Sequence, residues 1–414
     1  MTTFTFTEDQ QCAKESFVSF MLDPNEMVFV LSGYSGTGKS TLVSHLLEQI
    51  PGIIKTAKLI QANYREYTIE LTATTNKAAE SLSQISGMSV STIHSFLGLR
   101  VNVNHRTGES TLLPTTSVRK EGYLLFVDEA SYIDANLLGL IFKCTQNCKI
   151  VFIGDPAQLT PIKSSGTPVF EANFPGAKLN QVVRQAEDNP IIDLSTKFRE
   201  TVNSGQFFSF VPDGEAIQYM CRDDFDNAVE SEFTRPDWKY RDSKFLAWTN
   251  KKVIAYNHAI QNKVKGNPNF AEGDYAICNN YVSINRKNIK TDQLVCITTI
   301  SEEMDRYGVK GHWYGMDYST SFFGANSLAE RNARVKEAKA NGDYHIVAEI
   351  EDSWIDLRAA FAQTVNKSQG STYDRVFIDL DDIGRCTNGN QIARVLYVGV
   401  SRARQQVILT GDLV

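Results

Sequence analysis

Gly33-Tyr34-Ser35-Gly36-Thr37-Gly38-Lys39-Ser40 is the stretch on which the reading of this chain turns. It fits G-x-x-x-x-G-K-[ST], a loop whose backbone N–H groups close around a polyphosphate. Met27-Val28-Phe29-Val30-Leu31, just before it, is a short apolar run that reads as a buried strand. Leu42-Val43-Ser44-His45-Leu46-Leu47, just after it, continues as an amphipathic helix. In that setting the glycines allow the tight turn, and the helix N-terminus adds partial positive charge. Gly33, Ser35, Gly36, Thr37, Gly38, Lys39, Ser40 and Thr41 are therefore expected around a nucleoside triphosphate. Lys39 would reach the β- and γ-phosphates and Ser40 would hold Mg²⁺.

The strand pattern ahead of the loop repeats downstream. Tyr123-Leu124-Leu125-Phe126-Val127-Asp128-Glu129-Ala130-Ser131 is an apolar strand ending in two acids, the arrangement that holds Mg²⁺ through water and activates an attacking water. Asp128 takes the first role and Glu129 the second. Lys149-Ile150-Val151-Phe152-Ile153-Gly154-Asp155-Pro156-Ala157-Gln158-Leu159 is a third such strand. Gln158 either serves the turn or contacts a γ-phosphate; Gly-Asp-Pro marks a turn in any case. Upstream, Thr7-Glu8-Asp9-Gln10-Gln11 opens a helix with a capping box. Gln10 is either that cap alone or an amide whose donor and acceptor match an adenine edge.

The 414 residues allow two or three domains with sizeable cores. A hydrophobic content of 42% and a charged content of 22% describe an ordinary globular chain. No apolar run approaches a membrane span and the N-terminus lacks a signal-peptide pattern, so a cytoplasmic protein is expected. The seven cysteines show no C-x-x-C pair and no zinc-ligand spacing, which favours reduced, mostly buried thiols. The net charge of −6 argues against a large phosphate-neutralising surface. It leaves room for a single-strand channel read by hydrogen bonds and stacking.

Strands alternate with helices as far as Gln158, which predicts a parallel α/β sheet. Tyr67 to Ala73 is one of its strands, ending in Thr74-Thr75-Asn76-Lys77, and Ser91-Thr92-Ile93-His94 follows. Leu99 to Lys120 reads either as a hairpin projecting from the core, with its turn at Asn104 to Gly108, or as a solvated surface loop. A second α/β region contains the helix from Pro190 to Val202, a strand from Lys244 and a helix from Lys251 to Lys265. Between Asn267 and about Ala360, short β-type segments (Asp274 to Cys278, Gln293 to Ile300, Tyr344 to Ile350) surround a polar helix from Ser327 to Ala340. Trp313, Tyr314, Tyr318, Phe322 and Phe323 cluster there, for core packing first and for stacking on a base or a domain partner second. The parallel pattern returns with Arg375 to Leu380 and Gln406 to Thr410.

The set, in order, resembles the superfamily 1 helicases: the phosphate loop, Asp128-Glu129-Ala130-Ser131, Gly154-Asp155-Pro156-Ala157-Gln158-Leu159, Lys367-Ser368-Gln369-Gly370 and Tyr397-Val398-Gly399-Val400-Ser401-Arg402-Ala403-Arg404. Within them it is similar to the RecD-like branch and its Dda-like members. That resemblance implies two RecA-like domains, residues 1–170 and residues 171–266 with 361–414, the first carrying a hairpin at 99–120. Residues 267–360 would form a β-rich, barrel-like insertion with a helical arm. It implies ATP and Mg²⁺ as cofactors, with Gln10 on adenine and Gly370 also near the nucleotide. Arg184 and Arg402 resemble the arginines that the second domain supplies to the γ-phosphate; a surface ion pair is the other reading of each. For the strand, the pattern points to Thr75, Lys77, Thr92, His94, Thr364, Asn366 and Lys367. This sequence departs from the family at Thr74, Thr160 and Asn366, where proline, proline and histidine are common. The implied activity is ATP-dependent, 5′–3′ translocation on single-stranded DNA and unwinding of duplex DNA with a single-stranded tail. The implied protein is a monomer, working with replication or recombination proteins and with no membrane. Two alternatives stand beside it: an ATP-switch that binds nucleic acid without unwinding, and an RNA-directed motor.

Overall fold

The computed structural model describes residues 6–61, 63–103, 110–161, 166–183, 189–266, 269–284, 287–317 and 320–413. Its apolar strands bury both faces, as parallel strands covered by helices must. In Val28–Gly33 (β1), Phe29 and Leu31 join one apolar cluster and Val28 and Val30 the opposite one. With β2 (Thr68–Ala73), β3 (Val90–Thr92), β4 (Tyr123–Asp128), β5 (Lys149–Gly154) and β6 (Gly176–Leu179) it forms a parallel sheet ordered β6-β1-β5-β4-β2-β3. On β4, Leu124 and Phe126 alternate with Leu125 and Val127 between the same two clusters. Helices α1 (Glu8–Leu22), α2 (Lys39–Ile60), α3 (Asn76–Ser86) and α4 (Ala135–Cys144) supply the covering surfaces, with Phe17, Leu42 and Leu46 on one side and Leu137 and Ile141 on the other. Lys149 at the start of β5 is buried, and its ammonium donates to the carbonyls of Phe20, Asp23 and Glu26 at 2.7, 2.7 and 2.6 Å. This ties the end of α1 to the sheet. Burial pushes the lysine pKa down to about 8, against the pull of Asp23 and Glu26.

The first boundary expected from sequence, at residue 170, is corrected. β6 pairs with β1 in parallel, and the chain divides into one unit ending at Phe208 and a second beginning at Ser209. The reason is a close backbone approach. A Cβ on Gly176 would stand 2.0 Å from the Val30 carbonyl oxygen, so only glycine lets β6 lie against β1. Gly176→Ala should lower stability by about 2–3 kcal/mol through overpacking. A denaturant titration checks this, and an unchanged midpoint would refute the steric reading.

Leu99–Val103 and Ser110–Pro114 pair as an antiparallel hairpin, with Val101 opposite Leu112. The turn at Asn104 to Gly108 lies outside the described residues.

The second unit contains β7 (Ile217–Tyr219), β8 (Ser243–Ala247), β9 (Ala362–Thr364), β10 (Tyr373–Asp379) and β11 (Ala403–Thr410), parallel and ordered β7-β11-β10-β8-β9. Phe225, Phe233, Phe245 and Phe377 pack at its centre. The stretch between Gly266 and Ala362 builds small antiparallel sheets, including Tyr275–Cys278 between Leu294–Cys296 and Leu357–Ala359. Tyr344 to Ile350, expected as a β-type segment, is instead part of a helix, Tyr344–Ser353. Its short apolar pattern fits either state; here Ile346, Val347 and Ile350 make one face against Ala338 and Trp354. Phe322 and Phe323 are buried in apolar clusters, the packing role expected of them, whereas Tyr318 lies outside the described residues. Cys144, Cys148 and Cys278 are buried and all seven cysteines are unpaired, but Cys12 and Cys221 are exposed. No helix among the described residues is long and apolar enough to cross a membrane.

Candidate active site

Sheet register brings the polar strand ends of the first unit to one edge. Ser32 stands opposite Gly154, and Ala73 stands opposite both Asp128 and Thr92. Ligands of open α/β sheets bind at this carboxyl edge. The phosphate loop leaves β1 here. Gly36 and Gly38 take φ of 82° and 78°, the left-handed region that turns successive N–H groups into one concavity. Gly38 is the N-cap of α2 and offers no side-chain cap, so the first N–H groups of this 22-residue helix are left for an anion. The loop braces itself: Thr37 is fully buried and its hydroxyl donates to the Tyr34 carbonyl at 2.9 Å. Lys39 donates to the carbonyls of Gly33 at 2.7 Å and Tyr34 at 2.9 Å.

Gln10 fulfils both halves of the capping box: it donates its N–H to the Thr7 hydroxyl and accepts the Thr7 N–H. Its amide also reaches the loop, donating from Nε2 to Thr37 O at 3.1 Å, and the side chain is fully buried. A Cβ on Gly38 would sit 2.6 Å from that nitrogen. The glycine thus serves the loop twice, through its φ and through the room it leaves for Gln10.

Asp128 ends β4 and accepts the Glu129 N–H at 2.8 Å. Burial pushes its carboxyl up, while that N–H and the Lys39 charge pull the other way. A divalent cation would act in the same sense as Lys39, so Asp128 and Ser40 form a chemically suited pair of oxygens for one. Glu129 holds a φ of 55°, a strained setting for a non-glycine residue, and its carbonyl accepts the Thr74 hydroxyl at 3.1 Å. Gln158 is buried beside Asp155, which accepts the Ala157 N–H at 2.9 Å and the Gln158 N–H on its backbone carbonyl at 3.2 Å.

Two expected strand contacts of the first unit meet in a cleft of about 400 Å³. Thr75 and His94 line it together with Thr111 and Leu112 of the hairpin, Tyr132 and Asp134. Thr75 and Thr92 both act as helix N-caps, accepting the N–H groups of Ala78 and Ser95. Lys77 lies in the first turn of α3. Burial lowers the His94 pKa, against the pull of Asp134, so near neutral pH the imidazole offers a hydrogen bond and not a charge.

In the second unit, Thr364 ends β9 opposite Ala247 and caps a single helical turn, Val365–Ser368, that carries Asn366 and Lys367. Lys367 donates to Asn279 Oδ1 at 2.6 Å and Asp292 Oδ1 at 2.7 Å. Gly370 follows with φ of 76°, exposed. Arg402 is buried, 6% exposed, and its guanidinium donates to Val398 O at 3.1 Å, Ser371 O at 3.1 Å and Ser401 Oγ at 2.8 Å. It is therefore not a surface group: Val398 and Ser401 bind it at the end of the helix Gly389–Val400, and Ser371 binds it from the turn after Val365–Ser368. Arg184 lies outside the described residues. The adjoining Val183 donates its N–H to Gly36 O at 2.9 Å. The chain leading to Arg184 thus rests on the first unit's phosphate loop, not on a second domain, because β6 carries it back past β1.

A family model described as an AAA domain matches residues 6–219, and one described as a UvrD-like helicase C-terminal domain matches residues 359–410. The chain belongs to the AAA domain family, as a superfamily 1 helicase of the RecD-like branch. It is 27% identical over 460 residues to the ATP-dependent DNA helicase dda of Enterobacteria phage T4, covering 98% of this chain and 99% of that protein. It is 34% identical over 169 residues to the ATP-dependent RecD2 DNA helicase of Deinococcus radiodurans, 40% of this chain and 21% of that one. A solved structure of two coordinating Pif1 helicases at forked double-stranded DNA shares its fold, with a TM-score of 0.54 at 17% identity over 98% of this chain and 92% of that chain. So does the Bacteroides Pif1 helicase in complex with ADP-AlF3 and single-stranded DNA, with a TM-score of 0.50 at 15% identity over 99% and 93%.

Contacts around three residues of this helicase, Tyr34, Glu129 and Lys367, have no local signal in its sequence. The Arg199 guanidinium lies 3.9 Å from the centre of the Tyr34 ring, on the phosphate loop, and Lys178 approaches the same ring at 5.4 Å. Arg199 is on α5 (Pro190–Ser204), 165 residues from Tyr34, so no motif spacing announces the pair. Thr74, where the family often has proline, uses its hydroxyl to hold the strained Glu129. Asn279 and Asp292, on the second unit's insertion, take the ammonium of Lys367.

Proposed function

We propose that this chain is an ATP-dependent DNA helicase that moves 5′–3′ on single-stranded DNA and unwinds duplexes carrying a single-stranded tail. The observation that carries the reading is the shared sheet edge. Asp128 and Thr92 flank Ala73 in register, so the hydrolytic carboxylates and the strand-facing caps share one sheet edge with a single strand between them. ATP with Mg²⁺, when bound, supplies the phosphoanhydride that is hydrolysed. Gly36, Gly38 and the first turn of α2 bind the phosphates, and Lys39 neutralises charge on them. Ser40 and Asp128 hold the cation. Glu129 orients the attacking water and takes its proton, and Gln158 sits at the turn where loss of a phosphate is felt. Arg402 is assigned the stabilisation of charge during transfer, which requires it to exchange part of its present hydrogen bonding. Thr75, Thr92 and Thr364 cap helices whose N-termini suit backbone phosphates, and Lys77 and Lys367 add charge.

The helicase activities of the relatives support this reading over an ATP-switch, and Glu129 supports it independently, since binding alone needs no general base. The test compares ATP hydrolysis with and without single-stranded DNA, then unwinding of matched 5′-tailed and 3′-tailed duplexes of DNA and RNA. Hydrolysis should rise several-fold with the strand, and only the 5′-tailed DNA should open. Unstimulated hydrolysis without unwinding would establish the switch instead, and opening of RNA alone would establish an RNA motor.

A further inference from the structure

Lys367 is a strand-facing lysine whose charge is already taken. Its ammonium donates to two oxygens, Asn279 Oδ1 at 2.6 Å and Asp292 Oδ1 at 2.7 Å, both on the β-rich insertion. Neither acceptor is a chance neighbour. The Asn279 amide is oriented by its other end, since Nδ2 donates to Asp356 Oδ2 at 2.6 Å and thereby turns Oδ1 toward the lysine. The Asn279 N–H donates to Asp356 O at 2.8 Å. Asp292 stands between Lys287–Ile289 and Leu294–Cys296 with φ of 64°, the left-handed region that is uncommon outside glycine and that asparagine and aspartate adopt most readily of the other residues. Its N–H is fixed on Cys278 O at 2.7 Å. A strained residue held by its neighbours and aimed at a cation is the signature of a functional constraint.

We propose that Asp292 and Asn279 are positioning residues that occupy the phosphate-binding place of Lys367, so that a DNA strand must displace the insertion's carboxylate to gain this contact. The inference rests on the helicase reading and on the assignment of Lys367 to the strand. An ammonium has three hydrogens, and two are committed to these oxygens in a geometry that a phosphodiester's two free oxygens would reproduce. Strand binding at Thr364 to Lys367 is thereby exchanged against the contact between the insertion and the turn that follows β9. The exchange sets a threshold for the strand and frees the Lys290–Gln293 turn when the strand is held.

Asp292→Asn tests the exchange without straining the turn, because asparagine accepts the same φ. Single-stranded DNA affinity of the full chain is measured for wild type, Asp292→Asn, Lys367→Ala and the double variant, with half-maximal DNA and maximal rate of the stimulated ATPase alongside. Asp292→Asn should tighten binding about three- to fivefold, the range open to a partly exposed ion pair. It should lower half-maximal DNA by the same factor and leave the maximal rate within about twofold. Lys367→Ala should weaken binding and reduce the salt slope by about one. In the Lys367→Ala background the Asp292 change should give no gain. An equal gain in both backgrounds would overturn the proposal in favour of general repulsion between Asp292 and the strand. Unchanged affinity in Asp292→Asn, or no loss in Lys367→Ala, would also overturn it. Absence of any strand binding by the wild type would instead defeat the helicase reading itself.

Discussion

Lys39→Ala should reduce ATP hydrolysis by about 10³-fold or more, the scale on which a preorganised cation stabilises phosphoryl transfer. The fold should survive the change. Lys39 is partly exposed, and one of its two carbonyl acceptors, Tyr34 O, keeps the Thr37 hydroxyl at 2.9 Å and the Thr37 N–H at 3.3 Å. Buried Thr37 and the Gln10 bond to Thr37 O still hold the loop. Binding of single-stranded DNA should persist, because Thr75, Thr92 and the cleft beside the hairpin do not depend on Lys39. Steady-state hydrolysis and strand binding by anisotropy, measured on one preparation, check both halves. A variant that hydrolyses ATP at the normal rate would remove Lys39 from the site.

Glu129→Gln should lower the maximal hydrolysis rate by about 10²- to 10⁴-fold, the range for loss of a general base. Nucleotide affinity should change little, since the phosphates are assigned to the loop and the cation to Ser40 and Asp128. The substitution keeps the size of the side chain. It also keeps the backbone that sets φ at 55°, held by the Thr74 bond to the Glu129 carbonyl and by the Tyr132 N–H on the same oxygen at 3.1 Å. Single-turnover hydrolysis with saturating ATP, beside nucleotide binding at equilibrium, separates chemistry from affinity. Full hydrolytic activity in this variant would move the base elsewhere.

These two outcomes rest on residues legible in the sequence, because each sits within a few positions of a strand end or a helix start. Local chemistry alone fixes such places: glycine where φ is positive at 36 and 38, acids where β4 ends, a capping box at Thr7 and Gln10. The parallel sheets were legible for the same reason, since doubly buried strands such as Ile150 to Ile153 read as unbroken apolar runs. Two errors show where local reading stops. Tyr344 to Ile350 has an apolar pattern that fits strand or helix, and only packing against Ala338 and Trp354 chooses the helix. The boundary near residue 170 failed because β6 is four residues long, and its place beside β1 depends on a glycine facing the Val30 carbonyl 146 residues earlier.

By itself, then, the sequence determined a phosphate loop, a pair of strand-end carboxylates and the helicase motifs, since each motif is written within about ten consecutive residues. Tertiary structure decided which partners those residues have. It laid Arg199 on Tyr34, turned Thr74 toward Glu129, buried Arg402 among neutral oxygens and gave the charge of Lys367 to Asp292. Such contacts join side chains up to 165 residues apart, and their strength depends on distance and burial, which residue order does not specify.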